Sequence, residues 1–425
     1  MAPAVRPHAF HQYLFRNPRY HRVVVALLLG VGVLVAVFVG YNIGGSSTGA
    51  AFGPAVGSGI VSKALAGGLM TVFALLGGWT VGRNVVETMG GKIVPASLFS
   101  IEVSIAVLFF IGGSLFLSNV VGVPASTSMT AVGAIAGLGY ATGNLDWAVV
   151  GRIVSWWIVS PIIAFWVSAV LGRYFYPQFV AWFAVTTSPG ALIVLDRSGP
   201  VPRPAPGPNT SRRELLGTGL VVAISSYMAF SAGASNVANA VAPLVGNGSI
   251  TMTQGILLGG ASIGLGAFTI ARRTLDTMGS DLTQLPLAAA LAVAVVSASL
   301  VTFLSALGIP ASFVIIATLS IVGLGWGRAT RTVTLADTAH GELPEGTTGG
   351  SLAADAESSP TVGEPEQTPT EDTVEPIGEA IERDVPGASD LFDPSTTARV
   401  VLLQHLVPVL ATVAAFLLFR FSGLA

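Results

Sequence analysis

Apolar residues run along this chain in long blocks separated by short polar or glycine-rich stretches. The blocks lie at 23–39, 61–81, 97–121, 124–142, 147–171, 214–232, 252–271, 285–308, 310–327 and 399–419. A helix that crosses hydrocarbon needs about 20 apolar residues, with a range of roughly 17–25, so each block predicts a membrane helix. A weaker run at 178–195, interrupted by Ser188-Pro189-Gly190, would raise the number from ten toward twelve. The first run is longer than the apolar core of a signal peptide and flows into glycine-rich sequence, so it reads as a retained span.

The blocks repeat. At a constant offset of 189, Ala51, Pro54, Gly57 and Gly59 meet Ala240, Pro243, Gly246 and Gly248. Without a gap, Arg83 then meets Arg272, Glu87 meets Asp276, and Thr88-Met89-Gly90 meets Thr277-Met278-Gly279. At offset 186, Gly122–Ser126 meets Gly308–Ser312, and Gly137-Leu138-Gly139 meets Gly323-Leu324-Gly325. Apolar similarity by chance would not hold prolines and charges in register over such a distance. The chain is a duplication.

Polar and glycine-rich interruptions stand at matching places in both halves: Gly44–Gly49 with Gly233–Asn239, and Val123–Ser128 with Ile309–Ser312. Paired interruptions of this kind point to a secondary transporter. Non-helical backbone at membrane depth is tolerated only inside protein or beside a water-filled cavity. Each interruption is therefore expected to start a half-helix whose free N–H groups and positive dipole end suit an anion. Single glycines and serines in spans more often serve helix packing and back-bonding; the fourfold symmetric placement favours a site.

Composition narrows the chemistry. Only 10% of the 425 residues are charged and 52% are hydrophobic, against about 25% charge in soluble domains. There is no cysteine, and of five histidines only His405 lies in an apolar block, which leaves little for a thiol, a zinc site or a His-centred catalyst. The chain is expected not to be an enzyme. Residues 333–397 hold fifteen acidic residues and one basic residue, Arg383; such a segment cannot bury enough apolar area to fold alone. The expected organisation is a basic arm at 1–22, a first transmembrane repeat at 23–171 and a linker at 172–213. A second repeat follows at 214–332, then a disordered acidic loop at 333–397 and a last helix at 398–425. Arginines in the N-terminal arm favour a cytoplasmic start, yet Arg197, Arg203, Arg212 and Arg213 pull the linker to the same side.

Three segments resemble those of the inorganic phosphate transporter family. GASNVANA at 233–240 is similar to the family signature GANDVANA. PASTSMTAVGAIAGLG at 124–139 is similar to its PVSTTHAIVGAIIGVG motif, and GRNVVETMGGKI at 82–93 to the segment after the first signature. The resemblance implies an all-α polytopic membrane protein of the cell membrane, built as two inverted repeats with broken, re-entrant helices. It also implies transport of a tetrahedral oxyanion by alternating access, with Na⁺ or H⁺ as coupling ion. Carried over residue by residue, the substrate-binding positions are Ser46, Ser47, Ser126, Thr127, Ser128, Ser235, Asn236, Asn239 and Ser312.

The sequence departs from the family where charge matters. Ser47 and Asn236 stand in place of the signature aspartates, Ala50 in place of an asparagine, and Phe313-Val314 follow Ser312 where hydroxyls would. A neutral amide can ligate Na⁺ but cannot titrate, so proton coupling through these positions is excluded and a weak Na⁺ site at Asn236 and Asn239 is expected. Inorganic phosphate is the first expected substrate and sulfate the second. A transport-inactive relative acting as a receptor or scaffold is the rival from another class. The lipid bilayer is an expected partner and nucleic acid is not; a homodimer stays open.

Overall fold

The computed structural model describes residues 18–121, 126–183, 193–196, 203–207, 210–271, 275, 287–330 and 394–425. Ten helices among them fall on the ten apolar blocks. They are α1 (Pro18–Gly57), α2 (Lys63–Thr80), α4 (Ile101–Val121), α5 (Thr127–Thr142), α6 (Trp147–Val170), α8 (Arg212–Gly246), α9 (Met252–Phe268), α10 (Leu287–Ala306), α11 (Phe313–Ala329) and α12 (Pro394–Ser422). Two shorter helices, α3 (Gly82–Glu87) and α7 (Tyr176–Phe183), complete the described set. Seven helices are long and apolar enough to cross a membrane, and α9 and α11 are shorter apolar helices. Lipid-facing positions carry large apolar side chains such as Leu34, Phe109, Ile158 and Leu216, all well exposed.

The duplication seen in the sequence governs the helix ends. α1 and α8 stop at the matched residues Gly57 and Gly246, and each is followed by a glycine at φ +73°, Gly59 and Gly248. Only glycine adopts that left-handed conformation at no steric cost. α2 and α9 start at matched positions behind matched caps: Ser62 accepts from the Leu65 N–H, and Thr251 from the Gln254 N–H. α5 and α11 likewise start behind Ser126 and Ser312, whose hydroxyls accept from the Met129 and Ile315 N–H groups. Pro161 in α6 and Pro408 in α12 are a further matched pair.

Close contacts fix the relative directions of the helices. Gly40 of α1 faces Gly259 and Ser262 of α9, and Gly45 faces Ile270, so α1 and α9 run parallel. Gly255 of α9 faces Val241 and Val245 of α8, and Gly259 faces Val237, so α9 and α8 run antiparallel. α8 therefore opens the second repeat in the direction opposite to that in which α1 opens the first. The repeats are inverted.

Two expected interruptions are absent. Gly44–Gly49 lies within continuous α1, and Gly233–Asn239 within continuous α8. Their glycines are packing residues instead. A Cβ on Gly44 would overlap the Ile263 carbonyl oxygen, and one on Gly233 the matched Ala74 carbonyl oxygen. The same backbone-to-backbone approach thus occurs twice, related by the duplication, in the manner of small-residue contacts in membranes. The other two interruptions are real: Ser126 and Ser312 are non-helical caps at the starts of α5 and α11.

Boundaries also shift. Part of the expected linker continues α6 through a π-turn at Leu171–Phe175 into α7, and a short antiparallel pair, β1 (Ile193–Asp196) with β2 (Arg203–Pro206), follows. Helix α12 begins at Pro394, inside the expected acidic segment, and α1 begins at Pro18, inside the expected arm. Most of the acidic segment, most of the arm, Ser188-Pro189-Gly190 and the second-half motif Asp276–Gly279 lie outside the described residues. In the first half Arg83 donates to the Trp79 carbonyl and lies over its ring, while Glu87 pairs with Lys92 at 3.7 Å on the surface. Glu102 sits in the first turn of α4.

Candidate functional site

Helices α5 and α11 both begin at one cavity of about 250 Å³, closed on its sides by α1, α8 and α10. Ser46 and Ser47 reach it from α1, Ser126 and Thr127 from the start of α5, Asn236 from α8, and Ser312 from the start of α11. Six of the nine candidate residues thus line one space. The first N–H groups of a helix lack intrahelical partners and carry roughly half a positive charge, so two converging helix starts favour an anion there. Among the described residues no lining side chain is ionisable.

The other three candidates sit behind the cavity wall, buried, and hold it. Ser235 Oγ donates to the Ala311 carbonyl at 2.9 Å and accepts from the Ala311 N–H at 3.3 Å, which ties α8 to the turn before α11. Ser128 and Ser235 hydroxyls are 3.2 Å apart. Asn239 Nδ2 donates to Asn236 Oδ1 at 3.1 Å and to Ser128 Oγ at 3.4 Å.

Asn236 is the hub. Its Oδ1 accepts from Asn239 Nδ2 and, at 2.7 Å, from Thr127 Oγ1. With the oxygen engaged twice, the NH₂ is the end of the amide that remains for a ligand. Thr127 lines the cavity, and its hydroxyl proton goes to Asn236. Ser46 likewise donates back to its own helix, to the Ile43 carbonyl at 3.1 Å.

The two residues of the expected cation site differ. Asn236 Oδ1 is saturated, whereas Asn239 Oδ1 is buried and has no hydrogen-bond partner. Pro243, one turn along α8, has no N–H to give the Asn239 backbone carbonyl. Asn239 thus offers oxygens of the kind a hard cation takes, without a carboxylate. Among the described residues no group of three or more His, Cys, Asp or Glu could hold a metal ion.

Most of the apolar part of the wall was not foreseeable from the residue pattern. Met228, Val293, Ala294, Phe313 and Ile321 line it with Pro54 and Thr318. Pro54 was visible as the mate of Pro243 and Phe313 as the residue after Ser312; the others differ in no way from span residues that face lipid or core.

Comparison with known proteins agrees with this architecture. The profile of the phosphate transporter family matches residues 43–341. Sulfate permease CysP of Bacillus subtilis (strain 168) is 30% identical over 297 residues, covering 70% of this chain and 77% of that protein. A solved structure titled "The sodium-dependent phosphate transporter" superimposes with a TM-score of 0.59 at 17% identity, covering 93% of this chain and all of the other; it shares the fold. Inverted repeats, multiple membrane helices and the profile match across most of the chain lead to one conclusion: the chain belongs to the phosphate transporter family and is a multi-pass membrane protein.

Proposed function

We propose that the chain is a secondary transporter of a tetrahedral oxyanion in the cell membrane, working by alternating access, and that sulfate suits its site better than phosphate. The observation that carries this is the polarity of the cavity. It presents an amide NH₂, hydroxyls and two helix starts, and no carboxylate. Phosphate at neutral pH keeps at least one P–OH, which needs an acceptor; a charged acceptor would make that bond strong. Sulfate carries no proton and needs donors alone. The sequence put phosphate first by resemblance, and the engaged Asn236 oxygen moves the preference. The similarity to a sulfate permease supports the same order.

Coupling follows the same chemistry. Asn239 oxygens support a weak Na⁺ site, and among the described residues no titratable side chain at the cavity can carry a proton. The reading is tested by ligand-dependent melting of the detergent-solubilised protein. A ligand that binds only the folded state raises the melting temperature according to its concentration relative to Kd. Sulfate should raise it at lower concentration than phosphate, and chloride should not. Stabilisation by phosphate alone would return the substrate order to that of the sequence. Stabilisation by neither would favour the scaffold reading.

A further inference from the structure

From the central residues the cavity lining extends along α8, α10 and α11, and the duplication shows what occupies the matching positions. Beyond the central residues it is lined by Met228 and Ala232 of α8, Ala290 and Ala294 of α10, and Ala317 of α11. Their mates in the inverted repeat are Val39 and Ile43 of α1, Ser104 and Leu108 of α4, and Ala131 of α5, and every one is fully buried. The mates pack the route that would lead from the site to the opposite face.

That packed face contains a polar contact that its counterpart lacks. Ser104 Oγ donates to the Pro243 carbonyl at 3.1 Å and accepts from Asn247 Nδ2 at 2.9 Å. The contact joins α4 to the end of α8 across the closed route. The matched residues on the open face are Ala290, Pro54 and Ser58. Ala290 has no hydroxyl, and the Ser58 hydroxyl donates locally to the Ala55 carbonyl at 3.3 Å. If the repeats exchanged conformations, closure of the open face would bring Ala290 to Pro54 with no such bond to form.

We propose that Ser104, with Asn247, is a latch that holds this face shut and biases the carrier toward its other opening. It rests on the alternating-access reading but not on the identity of the anion. Ser104 and Asn247 touch neither cavity nor candidate ligand groups, so they are positioning residues that act through the conformational equilibrium. Losing a buried hydrogen-bonding group shifts such an equilibrium about tenfold.

The chain has no cysteine, so single cysteines report the two routes directly. Ala317→Cys reads the open route and Ala131→Cys its closed mate, each reacted with a hydrophilic thiol reagent in detergent, without substrate. Ser104→Ala is expected to speed labelling at Ala131→Cys about tenfold, with little fall at Ala317→Cys while the open state stays the major one. Ala290→Ser combined with Ser58→Asn, which rebuilds the contact on the open face, should also speed labelling at Ala131→Cys. Asn247→Leu serves as a second latch variant should Ser104→Ala not fold. Unchanged rates at both reporters overturn the proposal. So does faster labelling at Ala131→Cys with Ser104→Ala but not with the pair Ala290→Ser and Ser58→Asn, which would be local loosening. Because no anion is present, failure here is separate from failure of the substrate reading.

Discussion

Asn236→Asp converts the donor end of the hub amide into a charged acceptor while sparing its scaffold. The carboxylate still accepts from Thr127 Oγ1 and Asn239 Nδ2, whose bonds at 2.7 and 3.1 Å already point at an oxygen. The second carboxylate oxygen takes the place of the NH₂. Sulfate then loses a donor and meets a negative charge; at about 4 Å and an effective dielectric near 20, repulsion is about 4 kcal/mol per unit charge. Uptake of Na⁺ or a proton by the new carboxylate relieves part of this, so the expected loss in apparent sulfate affinity is at least about a hundredfold at low Na⁺. Phosphate loses less, because its P–OH can donate to the carboxylate in a charge-assisted bond. The sulfate-to-phosphate ratio should therefore fall about tenfold or more, and Na⁺ should become a strong activator. The assay is competitive uptake of the two radiolabelled anions into liposomes across a Na⁺ titration. Equal losses for both anions, with no new Na⁺ dependence, would refute the reasoning.

Thr127→Val should weaken apparent affinity only about fivefold, since it frees Asn236 from one of two restraints, and its effect should be much smaller in an Asn236→Ala background; uptake kinetics of the double-mutant cycle check this. Gly44→Ala and Gly233→Ala should each cost about 1–3 kcal/mol of stability or the folded protein altogether, because the added Cβ meets backbone that cannot move aside; thermal melting reads it. Replacing residues 336–390 with a short Gly/Ser linker should leave melting and uptake unchanged, since the first repeat joins the corresponding helices through residues 143–146 alone. Sulfate uptake without a pH gradient should be flat between about pH 5 and 8, because among the described residues no titratable side chain lines the cavity; a sigmoidal profile would point to a group elsewhere.

Helix number and order were legible because apolar block length answers to bilayer thickness, and all ten blocks became helices. The inversion needed three-dimensional contacts, since a sequence repeat carries no direction. At Gly44–Gly49 and Gly233–Asn239 glycine and serine were ambiguous: the same small residues break a helix or let two helices touch, and here they touch. At Ser126 and Ser312 a proline two residues earlier in the sequence removed that ambiguity. The role of Thr127 was not legible, because its partner Asn236 lies 109 residues away and decides where its proton goes. Ser104 gave no signal either, since a serine within a span usually bonds its own helix, and only the tertiary fold brings it to Pro243 and Asn247.

The most direct test of the account is uptake by the purified protein in liposomes, with radiolabelled sulfate and phosphate supplied separately and Na⁺ and pH gradients imposed one at a time. The account predicts saturable sulfate uptake, displaced more weakly by phosphate than by unlabelled sulfate, and raised by a Na⁺ gradient only at high salt. Absence of uptake of either anion by folded, inserted protein would contradict it.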